Sequence, residues 1–123
     1  MANKKTIMLV DDDSTLLGLA VEMLGFFDIF VHGAETLEEA CEIYSQNREA
    51  IALVITDMNL ENASGIDVFE ALRDIDDDFI SVLASGMITD MDIKSYKEKG
   101  FDEVIKKPYS FQSLQEMINR YLA

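Results

Sequence analysis

Residues 7–13 read Ile7-Met8-Leu9-Val10-Asp11-Asp12-Asp13, four apolar side chains followed at once by three carboxylates. The unbroken apolar run is the mark of a strand covered on both faces. Adjacent like charges repel, and burying any of them is costly. Placed at the mouth of a core, they call for a positive partner.

Short apolar runs recur along the chain. Ile29-Phe30-Val31, Ile51-Ala52-Leu53-Val54-Ile55, Phe79 to Ala84 and Val104-Ile105 read as further strands. Amphipathic stretches alternate with them. From Ser14, apolar residues fall at Leu16, Leu17, Ala20, Val21 and Leu24, with Gly25 as a stop. Thr36-x-x-Glu39 matches a capping box ahead of Leu37, Ala40, Cys41 and Tyr44. Ile66, Phe69, Leu72 and Ile75 give a third helix. Thr89 to Lys99 gives a weaker fourth one around Ile93 and Tyr96, stopped at Gly100. Ser110 caps a fifth with Leu114, Met117, Ile118, Tyr121 and Leu122 in its stripe. Five strand–helix pairs in strict alternation define an α/β fold: a doubly wound parallel five-stranded sheet with helices on both faces. Periodicity does not fix the strand order.

The chain has 123 residues, 49% hydrophobic and 28% charged, which suits one folded domain and argues against disorder. No apolar run approaches the ~20 residues of a membrane span. The opening MANKKTIMLVDDD has too short an apolar run for a signal peptide, so a cytoplasmic location is expected. Cys41 is the single cysteine, so no internal disulfide forms, which fits a reducing compartment. The net charge of −14 repels nucleic acid and anionic membrane surfaces, so neither is expected as a direct partner. It attracts divalent cations or a basic protein surface. Most of the carboxylates, Asp74, Asp76, Asp77 and Asp78 among them, are read as solvating.

In a parallel doubly wound sheet, ligands bind at the carboxyl ends of the strands. Those ends carry the chemistry. Asp11, Asp12 and Asp13 follow the first strand, Asp57 the third, Ser85 the fourth, and Lys106-Lys107-Pro108 the fifth. Clustered carboxylates suit a hard cation such as Mg²⁺ or Mn²⁺. A lysine and a hydroxyl suit phosphate oxygens. A carboxylate can itself be the nucleophile and form an acyl phosphate. Asp13 or Ser14 is left to cap the first helix.

In these residues the whole chain resembles the receiver domain of bacterial two-component response regulators. Asp11-Asp12 match the acidic pair, Asp57 in VITDMNL the phospho-acceptor, and Gly65 the loop glycine eight residues later. Ser85 in LASG matches the small hydroxyl residue and Lys107 in KKPY the lysine before proline. The resemblance implies a flavodoxin-like strand order, 2-1-3-4-5, in a single domain over 1–123. It implies that Asp57 accepts a phosphoryl group from a sensor histidine kinase or phosphotransfer protein. It implies Mg²⁺ or Mn²⁺ held by Asp11, Asp12, Asp57 and the backbone carbonyl of Asn59, with Lys107 and Ser85 on the phosphoryl oxygens. Output would pass through the fourth helix, fifth strand and fifth helix, to a downstream protein or linked output domain, or through a homodimer on that face. Such a domain catalyses only its own phosphorylation and slow dephosphorylation.

The family's lysine directly precedes its proline, so the resemblance implies Lys107 over Lys106, and because neighbouring residues in an extended strand face opposite ways, Lys106 then points away from the site. The chain departs from the family at Val104, where an aromatic switch residue is common, and at Glu61, where a proline is common. Two rivals stand beside this reading. One is a phosphate-independent interaction module of the same fold. The other is a haloacid-dehalogenase-like phosphatase, since Asp11-x-Asp13-x-Thr15 fits its motif with Asp11 as nucleophile. Among the remaining residues, His32 is expected at the surface after the second strand, the seven methionines as core fillers, and Cys41 buried. Whether the chain stands alone or is the input domain of a longer regulator is left open.

Overall fold

The computed structural model describes residues 6–122. Strands β1 (Thr6–Val10), β2 (Phe30–Ala34), β3 (Ile51–Asp57), β4 (Ile80–Ser85) and β5 (Glu103–Lys106) alternate with five helices. These are α1 (Ser14–Gly25), α2 (Leu37–Asn47), α3 (Gly65–Ile75), α4 (Asp90–Glu98) and α5 (Phe111–Tyr121). All strand pairs are parallel, in the order β2-β1-β3-β4-β5. The expected architecture and order are both present.

The strand period of two explains the two-sided core. Met8 and Val10 face one side, where Ala40 and Tyr44 of α2 and Val68, Phe69 and Leu72 of α3 close over them. Tyr96 of α4 packs partly against the same side. Ile7 and Leu9 face the other side and meet Ala20 and Leu24 of α1 and Leu114, Met117 and Ile118 of α5. In β3 the register skips Ala52, since Thr6 pairs with Ile51 but Ile7 with Leu53. That slip lets Ile51 and Val54 share one face.

Several local readings change. Gly25 does not stop α1. It is the last helical residue, and the chain turns at Phe26 and Phe27 before Asp28 takes the left-handed conformation, at φ 62°. Asp13 caps α1, its carboxylate accepting from the N–H groups of Thr15 and Leu16, both at 3.1 Å. At α2 the Thr36 hydroxyl accepts from the Glu39 N–H at 3.1 Å, but only half of the box forms. Full boxes stand elsewhere, at Ser64/Asp67 and Thr89/Asp92. β2 extends through His32, which is half-buried within the strand and edge-on to Phe30 rather than beyond the strand's end. Met8 and Met117 fill the core, whereas Met87 and Met91 on the β4–α4 segment are 91% and 83% exposed. Cys41 is half-buried rather than buried, and burial first, then Glu38, raises its thiol pKa. Residues 1–5 of the stretch read against a signal peptide fall outside the described residues. Among those described, no helix is long and apolar enough to cross a membrane.

Candidate functional site

Parallel pairing brings the carboxyl ends of β1, β3, β4 and β5 to one edge. Asp57 is the last residue of β3 and Ser85 the last of β4, so the ladder itself fixes both backbones. Asp11 sits one residue past β1, its N–H bonded to the Ala34 carbonyl at 2.9 Å. Lys107 sits one residue past β5, its N–H on the Ser85 carbonyl at 2.9 Å.

The Lys107 ammonium joins residues distant in sequence. Its Nζ lies 3.0 Å from Asp57 Oδ2 and 3.0 Å from Asp11 Oδ2. Asp11 is fully buried and Asp57 is 6% exposed. Two buried carboxylates thus share one cation, which is why the corner keeps an excess of negative charge. Burial raises the Asp57 pKa, the Lys107 and Asn59 contacts oppose it, and the Asp11 charge adds to it. Burial pulls Lys107 down, but bonds to Asp11 and Asp57 outweigh it, and the net direction is up. The Asp57 shift is set first by burial, the Lys107 shift by the two carboxylates it joins.

Asp12 is exposed, and one carboxylate oxygen each from Asp11, Asp12 and Asp57 lie within 4.8 Å of one another. Hard oxygen donors at that spacing fit a divalent cation completed by water. Of the three carboxylates in the opening sequence, Asp11 is met by Lys107, Asp13 caps α1, and Asp12 is left exposed beside the cluster.

The β3–α3 turn presents Asp57 through close packing. The Asn59 N–H reaches Asp57 Oδ1 at 3.4 Å, and Asn59 bridges back to Ser64. The Gly65 N–H bonds the Met58 carbonyl at 2.8 Å. A Cβ on Gly65 would stand 2.6 Å from Leu83 Cδ1 and 2.7 Å from the Asp57 carbonyl oxygen. That close approach is what the loop glycine supplies.

Lys106 is exposed, and no contact among the described residues ties it to the corner. The Lys107–Pro108 bond is cis. Ser85 is buried at the right edge, but its hydroxyl turns to its own loop, 3.3 Å from the Met87 carbonyl oxygen and 3.4 Å from the Met87 N–H. Val104 lies in β5 opposite Leu83 and offers no ring. One residue escaped the sequence reading. Tyr109 is buried, and its hydroxyl donates to Asp11 Oδ2 at 3.5 Å. An aromatic two places after Lys107, at the exit of the last strand, was the available signal.

The fold and this corner define a class of signalling module, and comparison with known proteins gives the same answer. The family model for the response regulator receiver domain matches residues 7–119, and the chain belongs to that regulatory family. Transcription factor SKN7 of Chaetomium thermophilum is 25% identical over 98% of this chain. The chain spans 16% of that protein's length. A receiver domain protein from Clostridium thermocellum superposes with a TM-score of 0.86 at 26% identity, over 95% of this chain and 93% of its own. The fold also matches the Saccharomyces cerevisiae Ssk1 receiver domain co-crystallised with the histidine phosphotransfer protein Ypd1. There the TM-score is 0.84 at 20% identity, over 98% of this chain and 90% of that one.

Proposed function

We propose that this chain is a phosphorylation-dependent switch, one receiver domain over 1–123, in which Asp57 is the phospho-acceptor. The observation that carries the reading is the Lys107 ammonium 3.0 Å from Asp57 Oδ2, at the strand ends of a receiver fold. In the reaction an Asp57 carboxylate oxygen forms the new bond to phosphorus as the bond to the donor's histidine nitrogen breaks. The freed imidazole takes its proton from solvent. The donor is a sensor histidine kinase or phosphotransfer protein, the class to which the Ssk1 receiver's partner belongs.

Phosphoryl transfer needs positioning and charge neutralisation more than covalent help. Lys107 supplies both, held by the β5 exit on one side of Asp57. Asp11, Asp12, Asp57 and the Asn59 carbonyl would hold Mg²⁺ or Mn²⁺, which when bound neutralises charge on the transferring phosphoryl oxygens. Ser85 turns its hydroxyl from Met87 to a phosphoryl oxygen after transfer. Output runs through α4, β5 and α5 to a downstream protein, a linked domain or a second copy. Val104 cannot reorient a ring, so α4 itself is the element that shifts.

The test is incubation with acetyl phosphate and Mg²⁺ followed by mass analysis. One phosphoryl group is expected on Asp57, absent in Asp57→Asn. Phosphate on Asp11 would transfer the chain's chemistry to an aspartyl phosphatase, and no phosphate at all would leave an interaction module.

A further inference from the structure

Asp11 has no exposed surface, so each of its oxygens needs a donor from the protein or a bound ion. Oδ1 accepts the Asp13 N–H at 2.9 Å. Oδ2 accepts Lys107 Nζ at 3.0 Å and the Tyr109 hydroxyl at 3.5 Å. The donors differ in kind. The Asp13 amide is fixed by the backbone. The Tyr109 ring is packed among the buried residues that include Leu9, Leu114 and Met117. Lys107 rides on a flexible stem and is shared with Asp57. The Tyr109 contact is long while Lys107 occupies the same oxygen, and among the described contacts Tyr109 has no other polar partner.

Phosphate on Asp57 carries negative charge outward from the carboxylate, and the ammonium follows it. Asp11 Oδ2 then loses its shorter donor inside the protein. A buried carboxylate oxygen left short of a donor is expensive. We propose that the Tyr109 hydroxyl is a positioning group that takes over Asp11 Oδ2 and so frees Lys107 to move to the phosphoryl group. The proposal rests on the phospho-acceptor reading of Asp57. The ring is already clamped, so closing the contact orders no further side chain. Burial and the Asp11 charge hold Tyr109 in its protonated form, the form that donates.

The test compares the full chain with Tyr109→Phe, which keeps the packed ring and removes the donor. Acetyl phosphate is the phosphodonor, and Mg²⁺ is titrated. The maximal rate of Asp57 phosphorylation falls about tenfold, the size expected for one hydrogen bond to a charged group, and half-saturating Mg²⁺ is unchanged. Independently of activity, beryllofluoride displaces the Lys107 ammonium resonance in the wild type and displaces it less in Y109F. In the wild type alone, beryllofluoride also moves the Tyr109 Cζ resonance as its hydrogen bond shortens. An unmoved Cζ resonance overturns the proposal, as does a Y109F protein phosphorylated at the wild-type rate. A loss confined to half-saturating Mg²⁺ overturns it as well, since the hydroxyl would then serve cation binding alone. A wild-type chain that acquires no phosphate on Asp57 sinks the phospho-acceptor reading instead.

Discussion

The corner at the carboxyl ends of the strands and helix α4 are built on opposite terms. At the corner, Asp11, Asp57 and Ser85 are buried polar groups whose backbones are fixed by strand ladders and whose side chains are tied to named partners. In α4, nine residues long, no residue is buried. It is held by its ends: a full capping box at Thr89 and Asp92, and Gly100 beyond the last turn at φ 116°. Tyr96 adds one edge contact to Phe101. The corner's groups are fixed where the backbone cannot give, and α4 lies where little packing would be lost by moving, which is the arrangement the proposed switch calls for.

The contrast has a direct measure. Leu83 of β4 is fully buried under the corner, against the Gly65 turn. Leu83→Ala is expected to lose about 3–4 kcal/mol in urea unfolding. Ile93→Ala, at a half-buried position of α4, is expected to lose under about 1 kcal/mol. Equal losses would break the comparison. Gly65→Ala comes next, at about 2–3 kcal/mol, because its Cβ meets the Asp57 carbonyl oxygen, and backbone cannot move aside as a side chain can.

Most of the fold was legible, for a reason visible at β1. A strand covered on both faces has to be apolar throughout, so Ile7 to Val10 and Ile51 to Ile55 announce themselves. The acidic and basic residues that end those runs were legible for the same reason. β2 was shortened because it is an edge strand, and His32-Gly33 carries no apolar signature. The turn after α1 was misplaced because Asp28, not the nearer glycine, takes the left-handed conformation. Tyr109 was missed because its ring looks like core, and its partner Asp11 is 98 residues away. A side chain that serves packing and polarity together hides the second role behind the first.

The corner's shortage of positive charge gives two further tests. Adding Mg²⁺ at about ten times its dissociation constant should stabilise the fold by about 1.4 kcal/mol, read as a higher melting temperature. Asp12→Ala should abolish the gain, while an equal gain would mean general screening. The second test is pH. The folded Asp57 carboxyl holds its proton to higher pH than the unfolded one, so ionising it removes stability as pH rises above the ordinary carboxylate value of 3.8. Asp57→Asn carries no such penalty and should unfold later than wild type at neutral pH, the advantage shrinking as pH falls into the carboxylate range. Lys107 runs the other way. Its raised pKa contributes stability that is complete below the ordinary lysine value of 10.5 and is lost as pH rises through the higher folded value.

The smallest effect probes α4 directly. Thr89→Ala removes the hydroxyl that accepts the Asp92 N–H at 3.1 Å and leaves the Asp92 carboxylate bonded to the residue 89 N–H. Loss of such a cap is worth about 1 kcal/mol to the helix it caps. Because α4 buries no residue, its local opening precedes global unfolding. Thr89→Ala should therefore leave the urea midpoint almost unchanged and speed amide exchange in residues 90–98 about fivefold, the factor that 1 kcal/mol gives. Exchange in β3 should not change. If the substitution instead lowers global stability by its full value, α4 unfolds with the core, and its freedom to shift on phosphorylation is lost as an explanation of output.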